Sequence, residues 1–154
     1  MTSKSQLQSK IQELEAELQE FKKQLNNYKE VTIETAEPGD VLQDGSIVIK
    51  KENGLVLLAA PKNTEVVTGW TKEFSDVFEK LKEQGFTPSE WFIPTVEQLE
   101  LAYKVAKEHF SAGYWSSTEY NATNGCNVNF NCGNVYNYPK SFSFCVRAFR
   151  CVTY

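Results

Sequence analysis

Twenty-six consecutive residues, Tyr120 to Cys145, hold seven asparagines, six aromatics and three cysteines, and Lys140 is their one charge. Glu, Gln, Met and Trp are absent from the stretch, although the rest of the chain is rich in Glu, Lys and Gln. Within it, Asn127-Val128-Asn129-Phe130-Asn131 alternates strictly, which predicts a strand with Val128 and Phe130 inward and the asparagines outward. Asn is a poor strand former, so an Asn-rich strand face is exposed for a reason other than stability. Tyr and Phe offer rigid contact area with few rotors, and Ser and Asn offer adaptable hydrogen bonds. Together they have the chemistry of a binding surface.

The chain has 154 residues and a formal charge of −4, which suits one globular domain plus an appendage. No acid follows Glu119, and Lys140, Arg147 and Arg150 are the only cations there, so the preceding part carries −7. Three cations are too few for a nucleic-acid stripe, and no nucleic-acid partner is expected. No apolar run approaches the ~20 residues needed to span a membrane, so no membrane insertion is expected. Met1-Thr-Ser-Lys-Ser lacks an apolar signal core, which predicts a soluble product made without a Sec signal.

The four cysteines, Cys126, Cys132, Cys145 and Cys151, all follow Gly125. Their even number permits a disulfide framework, but no export signal accompanies it. Their spacings of 6, 13 and 6 lack the tight pairs of a zinc site. Free thiols acting as small hydrophobes are expected, with no metal and no cofactor. The single histidine, His109, falls in the last turn of a predicted helix, where it complements the helix dipole. Nothing local supports it as a base, and no catalytic residue is assigned.

Leu7, Ile11, Leu14, Leu18, Phe21, Leu25 and Tyr28 step by alternating fours and threes. This heptad seam places Ile11, Leu18 and Leu25 at a, and Leu7, Leu14, Phe21 and Tyr28 at d. In a parallel arrangement Lys10 faces Glu15 of the next copy, and Glu17 faces Lys22. The alternative, an amphipathic helix lying on its own domain, would need a wider apolar face. The expectation is a coiled-coil oligomerisation helix over residues 1–30. The mixture of Ile and Leu at a leaves dimer and trimer open.

Residues 31–40 read as a connector ending in the turn Glu37-Pro38-Gly39-Asp40. Short strands follow around the turn pairs Asp44-Gly45 and Asn53-Gly54. Phe74, Val77, Phe78 and Leu81 predict a helix ending at Gly85. Thr95 and Gln98 form a predicted capping box that opens a second helix, with Leu99, Ala102, Tyr103, Ala106 and Phe110 on its buried face. From Gly113 on, strands and turns are expected, with 141–150 as one alternating strand.

Several motifs in this order resemble the bacterial C-type-lectin-like domain found at the ends of collagen-like adhesins and in phage tail proteins. They are Asp44-Gly45-Ser46-Ile47-Val48, Gly54-Leu55-Val56-Leu57, Trp91-Phe92-Ile93-Pro94-Thr95 with Leu99, Tyr114-Trp115-Ser116-Ser117-Thr118-Glu119, Val128-Asn129-Phe130 with Gly133, and Val146-Arg147-Ala148-Phe149-Arg150. The resemblance covers about residues 38–154. It implies an α+β fold, a C-type-lectin-like domain over residues 41–154 preceded by the N-terminal coiled-coil helix.

Within that family the segment 120–151 resembles the variable region of a diversity-generating retroelement target. There an error-prone reverse transcriptase randomises template adenines. An AAC codon so treated yields Asn, Tyr, Ser, Cys, Phe or Gly among others, and never Lys, Glu, Gln, Met or Trp. The stretch fits that alphabet except at Lys140, which would be an unvaried position, and the alphabet also accounts for the cysteines. The resemblance implies a variable ligand-binding surface made of Asn124, Gly125, Cys126, Asn127, Cys132, Asn134, Tyr136, Tyr138, Ser141, Ser143, Phe144, Cys145 and Phe149. Trp91, Pro94, Trp115, Ser116, Ser117, Val128, Phe130, Val146 and Ala148 would be scaffold. A calcium-dependent sugar site does not carry over, because calcium wants several acidic ligands and none follows Glu119.

The function so implied is recognition of a host-cell surface protein or glycan receptor by a homo-oligomer, with a trimer preferred and a dimer allowed. Its place would be a phage tail tip within the virion, or the cytoplasm if the chain is not phage-encoded. Two rivals stand beside it. One is an adhesin-type lectin with a fixed glycan ligand. The other is an enzyme of the formylglycine-generating type, which would use cysteines such as Cys145 and Cys151.

Overall fold

The computed structural model describes residues 3–27 and 32–154, and the chain divides into two units, 1–30 and 31–154. The described part of the first unit is the helix α1 (Lys4–Asn27). Its start carries a cap that the sequence reading missed. The Gln6 amide donates to Ser3 Oγ at 3.2 Å, and the Ser3 amide donates to Gln6 Oε1 at 2.9 Å. Ser at the N-cap and Gln three residues on satisfy two otherwise orphaned donors. Leu7, Ile11, Leu14, Leu18, Phe21 and Leu25 each expose at least 52% of their surface. Tyr28, the last seam residue, lies outside the described residues. No described helix is long and apolar enough to cross a membrane.

The second unit is a mixed α+β structure with two sheets. Strands β1 (Ile47–Glu52), β2 (Leu55–Ala59) and β8 (Phe149–Thr153) form an antiparallel three-stranded sheet in the order β1-β2-β8. The second sheet has the order β3-β7-β4-β5-β6. Its strands are β3 (Val66–Thr68), β4 (Gly113–Glu119), β5 (Asn124–Asn129), β6 (Val135–Pro139) and β7 (Phe144–Val146). Only β4 and β7 run parallel. Two helices, α2 (Ser75–Glu83) and α3 (Val96–Ala106), pack on this framework.

The capping box predicted for α3 is present. Thr95 Oγ1 accepts from the Gln98 amide at 3.2 Å, and Gln98 Oε1 accepts from the Thr95 amide at 2.9 Å. From that start, Leu99, Ala102 and Ala106 point into a core shared with Ile47, Ile49, Leu57, Tyr114, Val128, Phe130 and Phe149, while Tyr103 is only partly buried against it. On the other face of the five-stranded sheet, Val77 and Leu81 of α2 meet Trp70, Phe74, Trp91, Trp115, Val146 and Ala148. Each fully buried Val, Leu or Phe in these clusters contributes about 1.5–3 kcal/mol of transfer free energy. His109 lies in a short 3-10 turn after α3, where its Nε2 is 3.3 Å from the Gly39 carbonyl.

Residues 32–40 do not behave as the expected connector. Ala36 is fully buried against Val48, Val56 and Leu58, and the Gly39 amide donates to the Val48 carbonyl at 2.7 Å. The segment packs on the Val48, Val56 and Leu58 face of the three-stranded sheet. The turn chemistry at Glu37-Pro38-Gly39-Asp40 was legible, but its docking depends on a sheet face that forms from distant residues.

The expected single strand over 141–150 is also two strands. Residues 141–143 are turn, β7 ends at Val146, and β8 begins at Phe149 in the other sheet. The chain passes from one sheet to the other at Arg147-Ala148, and both of those residues are fully buried. Alternation is uninformative here because β7 lies inside its sheet with a core on each face. Phe144 and Val146 face the α2 side, while Cys145 packs on the α3 side.

Candidate functional site

Sheet register decides which residues of the asparagine-rich segment can share a surface. Trp115 pairs with Asn127, Asn127 with Tyr136, and Gly125 with Tyr138. Directly opposed residues lie on one face, and neighbours along a strand lie on opposite faces. Gly125, Asn127, Tyr136 and Tyr138 therefore share the face of Trp115, whereas Cys126 and Asn137 lie on the reverse. Phe144 joins the first face, 4.9 Å from Trp115 edge-on and 4.9 Å from Tyr138. Phe142 stacks on Tyr138 at 5.8 Å, and Tyr136 lies 6.1 Å from Tyr138. The result is an aromatic run from the buried Trp115, through half-buried Phe144 and Tyr138, to exposed Tyr136 and Phe142.

The turns that frame this run are built by the segment's own polar residues. Asn121 Oδ1 accepts from the amides of Thr123 and Asn124 at 2.9 and 2.8 Å. Asn129 Oδ1 accepts from the Asn131 amide at 2.8 Å and so opens the turn between β5 and β6. Gly133 completes that turn at φ +78°, and an added Cβ would meet the Tyr103 ring at 2.5 Å, which pins the turn against α3. Across the strands, Asn124 Nδ2 donates to Asn137 Oδ1 at 2.9 Å. Four of the seven asparagines thus serve local structure.

The thirteen expected contact residues divide by burial. Cys132, Asn134, Tyr136, Ser141 and Ser143 are exposed. Asn124, Cys126, Tyr138, Phe144 and Cys145 are half-buried. Gly125, Asn127 and Phe149 are buried, which corrects their placement on the surface. Gly125 lies under Trp70, whose ring would be 2.6 Å from an added Cβ. Asn127 is 1% exposed because β5 is an interior strand flanked by Trp115 and Tyr136, so the expectation that it points outward fails. Phe149 pairs with Ala59, bridges to Phe92 and packs near Phe110 in the core.

The expected scaffold residues are buried, apart from Ser117. Ser117 acts through its backbone, whose amide donates to the Pro94 carbonyl at 2.8 Å. Trp115 Nε1 donates to the Thr68 carbonyl at 2.9 Å and ties β4 to β3.

Two structural elements escaped the sequence reading. The first is Trp70, which supports the face from outside the segment. Its Nε1 donates to the Ser116 carbonyl at 2.8 Å, and its backbone amide donates to the Lys140 carbonyl at 2.8 Å. The second is a buried ionic cluster behind β7. The Arg147 guanidinium bonds to Glu65, donates to the His109 carbonyl at 2.9 Å and stacks 4.2 Å over the Phe110 ring. Tyr114 also bonds to Glu65, and burial pushes its hydroxyl above the ordinary phenol range, partly opposed by the charge of Arg147. No motif spacing links Glu65 to Arg147, so the pair had no sequence signal.

All three cations after Glu119 are matched with acids. Arg147 meets Glu65, Arg150 meets Glu90 at 2.7 Å, and Lys140 lies 3.6 Å from Glu119. The cysteines fall on separate elements, with Cys126 on β5, Cys132 in the following turn, Cys145 on β7 and Cys151 on β8. Burial raises the Cys126 and Cys145 thiols above their ordinary range. Among the described residues, no three His, Cys, Asp or Glu side chains cluster as metal ligands would.

No protein-family model matches this chain, and a comparison with curated proteins finds no match either.

Proposed function

We propose that this chain is a recognition protein in which a C-type-lectin-like domain, carried on a short parallel coiled coil, displays a diversified surface to a host or target receptor. A phage tail tip is the setting that fits this reading best. The observation that carries it is the behaviour of Lys140. This one residue outside the adenine-mutagenesis alphabet is held by structure. Its Nζ donates to the Ala122 carbonyl at 3.0 Å and sits 4.8 Å over the Trp70 ring. Residues within the alphabet fill the exposed turns and β6 around it, above a core supplied largely by other parts of the chain. Side chains can then change while the frame stays.

Pairing of all three cations after Glu119 argues against a polyanionic ligand there and favours contacts through aromatic rings, amides and hydroxyls. Such contacts are individually weak, and display on an oligomer raises their avidity. The exposed seam of α1 suits that role, with a trimer preferred. Light scattering of the intact chain is expected to give two to three times 17.5 kDa; a monomer at micromolar concentration would remove the coiled coil from the reading.

The functional test is a library randomised at Cys132, Asn134, Tyr136, Ser141 and Ser143, with Gly125, Asn127, Lys140 and Phe149 kept. Most members are expected to remain folded, because exposed substitutions usually change stability by less than ~0.5 kcal/mol. Selection against unrelated target proteins is expected to yield binders. Their binding should be lost when the aromatic side chains recovered at 136 and native at 138 are both cut back to alanine, since aromatic anchors carry most interface energy. Binding that survives this change and depends instead on residues 62–90 would place recognition elsewhere.

A further inference from the structure

Among the described residues the two sheets end in four edge strands, and three of them are protected. Strand β1 carries Lys50, Lys51 and Glu52 and a register break after Val48. The start of β8 is covered by the Phe92 bridge, and Arg150 follows it. Strand β3 is only three residues long. Charges, irregular register, covering segments and shortness are the usual means by which proteins prevent an edge from pairing with another chain.

Strand β6, Val135-Tyr136-Asn137-Tyr138-Pro139, has none of these except its terminal proline. It is uncharged and pairs with β5 in unbroken register from Asn124↔Pro139 to Val128↔Val135. Val135 and Tyr136 expose 42% and 39% of their surface. Bonds just beyond each end set the phase of the ladder. The Asn129 amide donates to the Asn134 carbonyl at 3.0 Å, and the Lys140 amide donates to the Thr123 carbonyl at 2.9 Å. Hydrogen-bonded pairs alternate along an antiparallel ladder. In this phase Tyr136 and Tyr138 exchange bonds with β5, while Val135 and Asn137 direct their N–H and C=O groups away from the sheet. Pro139 has no N–H and closes the far end.

We infer that β6 is the docking edge for an extended, uncharged backbone segment of a protein partner, which adds to the sheet as a sixth strand. This deepens the recognition reading and rests on it. Main-chain groups of Val135 and Asn137 supply an affinity that does not depend on side-chain identity, and Tyr136 and Tyr138, on one face of the same strand, read the partner's side chains. A surface whose side chains are exchanged wholesale keeps a constant component of binding in this way. The commitment is to a polypeptide, because a glycan offers no ladder of alternating amide donors and acceptors.

The test uses the intact chain on an array of uncharged octapeptides, each made with a plain backbone and with every second amide N-methylated in either phase. Plain peptides are expected to bind, and one phase of N-methylation is expected to abolish binding. In the chain, Asn137→Pro removes an outward N–H that β5 does not use, whereas Asn137→Ala removes only the side chain. Asn137→Pro is expected to weaken peptide binding about tenfold or more, and Asn137→Ala to weaken it far less. Failure of every plain peptide to bind, or equal binding of plain and N-methylated peptides, overturns the inference independently of how the variants fold. Library binders that survive Asn137→Pro but need residues 136 and 138 leave the recognition face standing and remove the edge. Capture of a glycan unaffected by Asn137→Pro also removes the edge.

Discussion

Replacing Trp115 by alanine is expected to destabilise the β-rich unit by about 3–5 kcal/mol, the range for truncating a large buried aromatic. The indole is fully buried on the α2 side of the five-stranded sheet. Its loss opens a cavity among Trp70, Val146 and Phe144 and leaves the Thr68 carbonyl without its indole donor. Phe144 would then lose the ring that holds it edge-on, and the aromatic run would lose its anchored end. Urea denaturation followed by tryptophan-independent circular dichroism measures the effect. A cost below about 1 kcal/mol would mean that Trp115 is not the centre of this core.

Glu65→Ala is expected to cost about 3–5 kcal/mol, because it leaves a buried guanidinium without its carboxylate. Arg147 is fully buried and Glu65 only slightly exposed, with side-chain exposures of 0% and 13%. In that setting the desolvation penalty of the cation is balanced by the anion beside it, and removing one partner exposes the full penalty. The double replacement Glu65→Leu with Arg147→Met is expected to recover most of the loss, since paired removal of both charges is often neutral. Denaturation midpoints of the single and double variants form a mutant cycle. If Glu65→Ala proves mild, the guanidinium must find compensation from the His109 carbonyl and the Phe110 ring alone.

The two predictions touch different parts of the legibility of this chain. Trp115 was readable as scaffold only through the resemblance carried by Tyr114-Trp115-Ser116-Ser117-Thr118-Glu119. Glu65 was not readable, because a salt bridge across 82 residues leaves no periodic trace. The same contrast holds within the asparagine-rich segment. Composition marked it as surface-like, and most of its turn residues are indeed exposed. Composition could not separate Asn127, buried between its cross-strand neighbours Trp115 and Tyr136, from Asn134, which is open to solvent. Nor could it show that Asn121 and Asn129 are spent on turns.

Local order was fixed by local chemistry. The Thr95–Gln98 cap, the helix ending before Gly85, the β1–β2 hairpin and the inward positions of Val128 and Phe130 all depend on bonds or packing periods contained within a few residues. The sequence alone was sufficient for those. Three features depend on which strands become neighbours: the crossing from β7 to β8 at Arg147-Ala148, the approach of Trp70 that leaves Gly125 no room for a Cβ, and the open edge of β6. A strand's alternation shows that it has two faces, but only its neighbours decide whether the second face meets water or another core. In this protein that decision belongs to the tertiary structure, and it is what separates the residues able to touch a partner from those that hold the face in place.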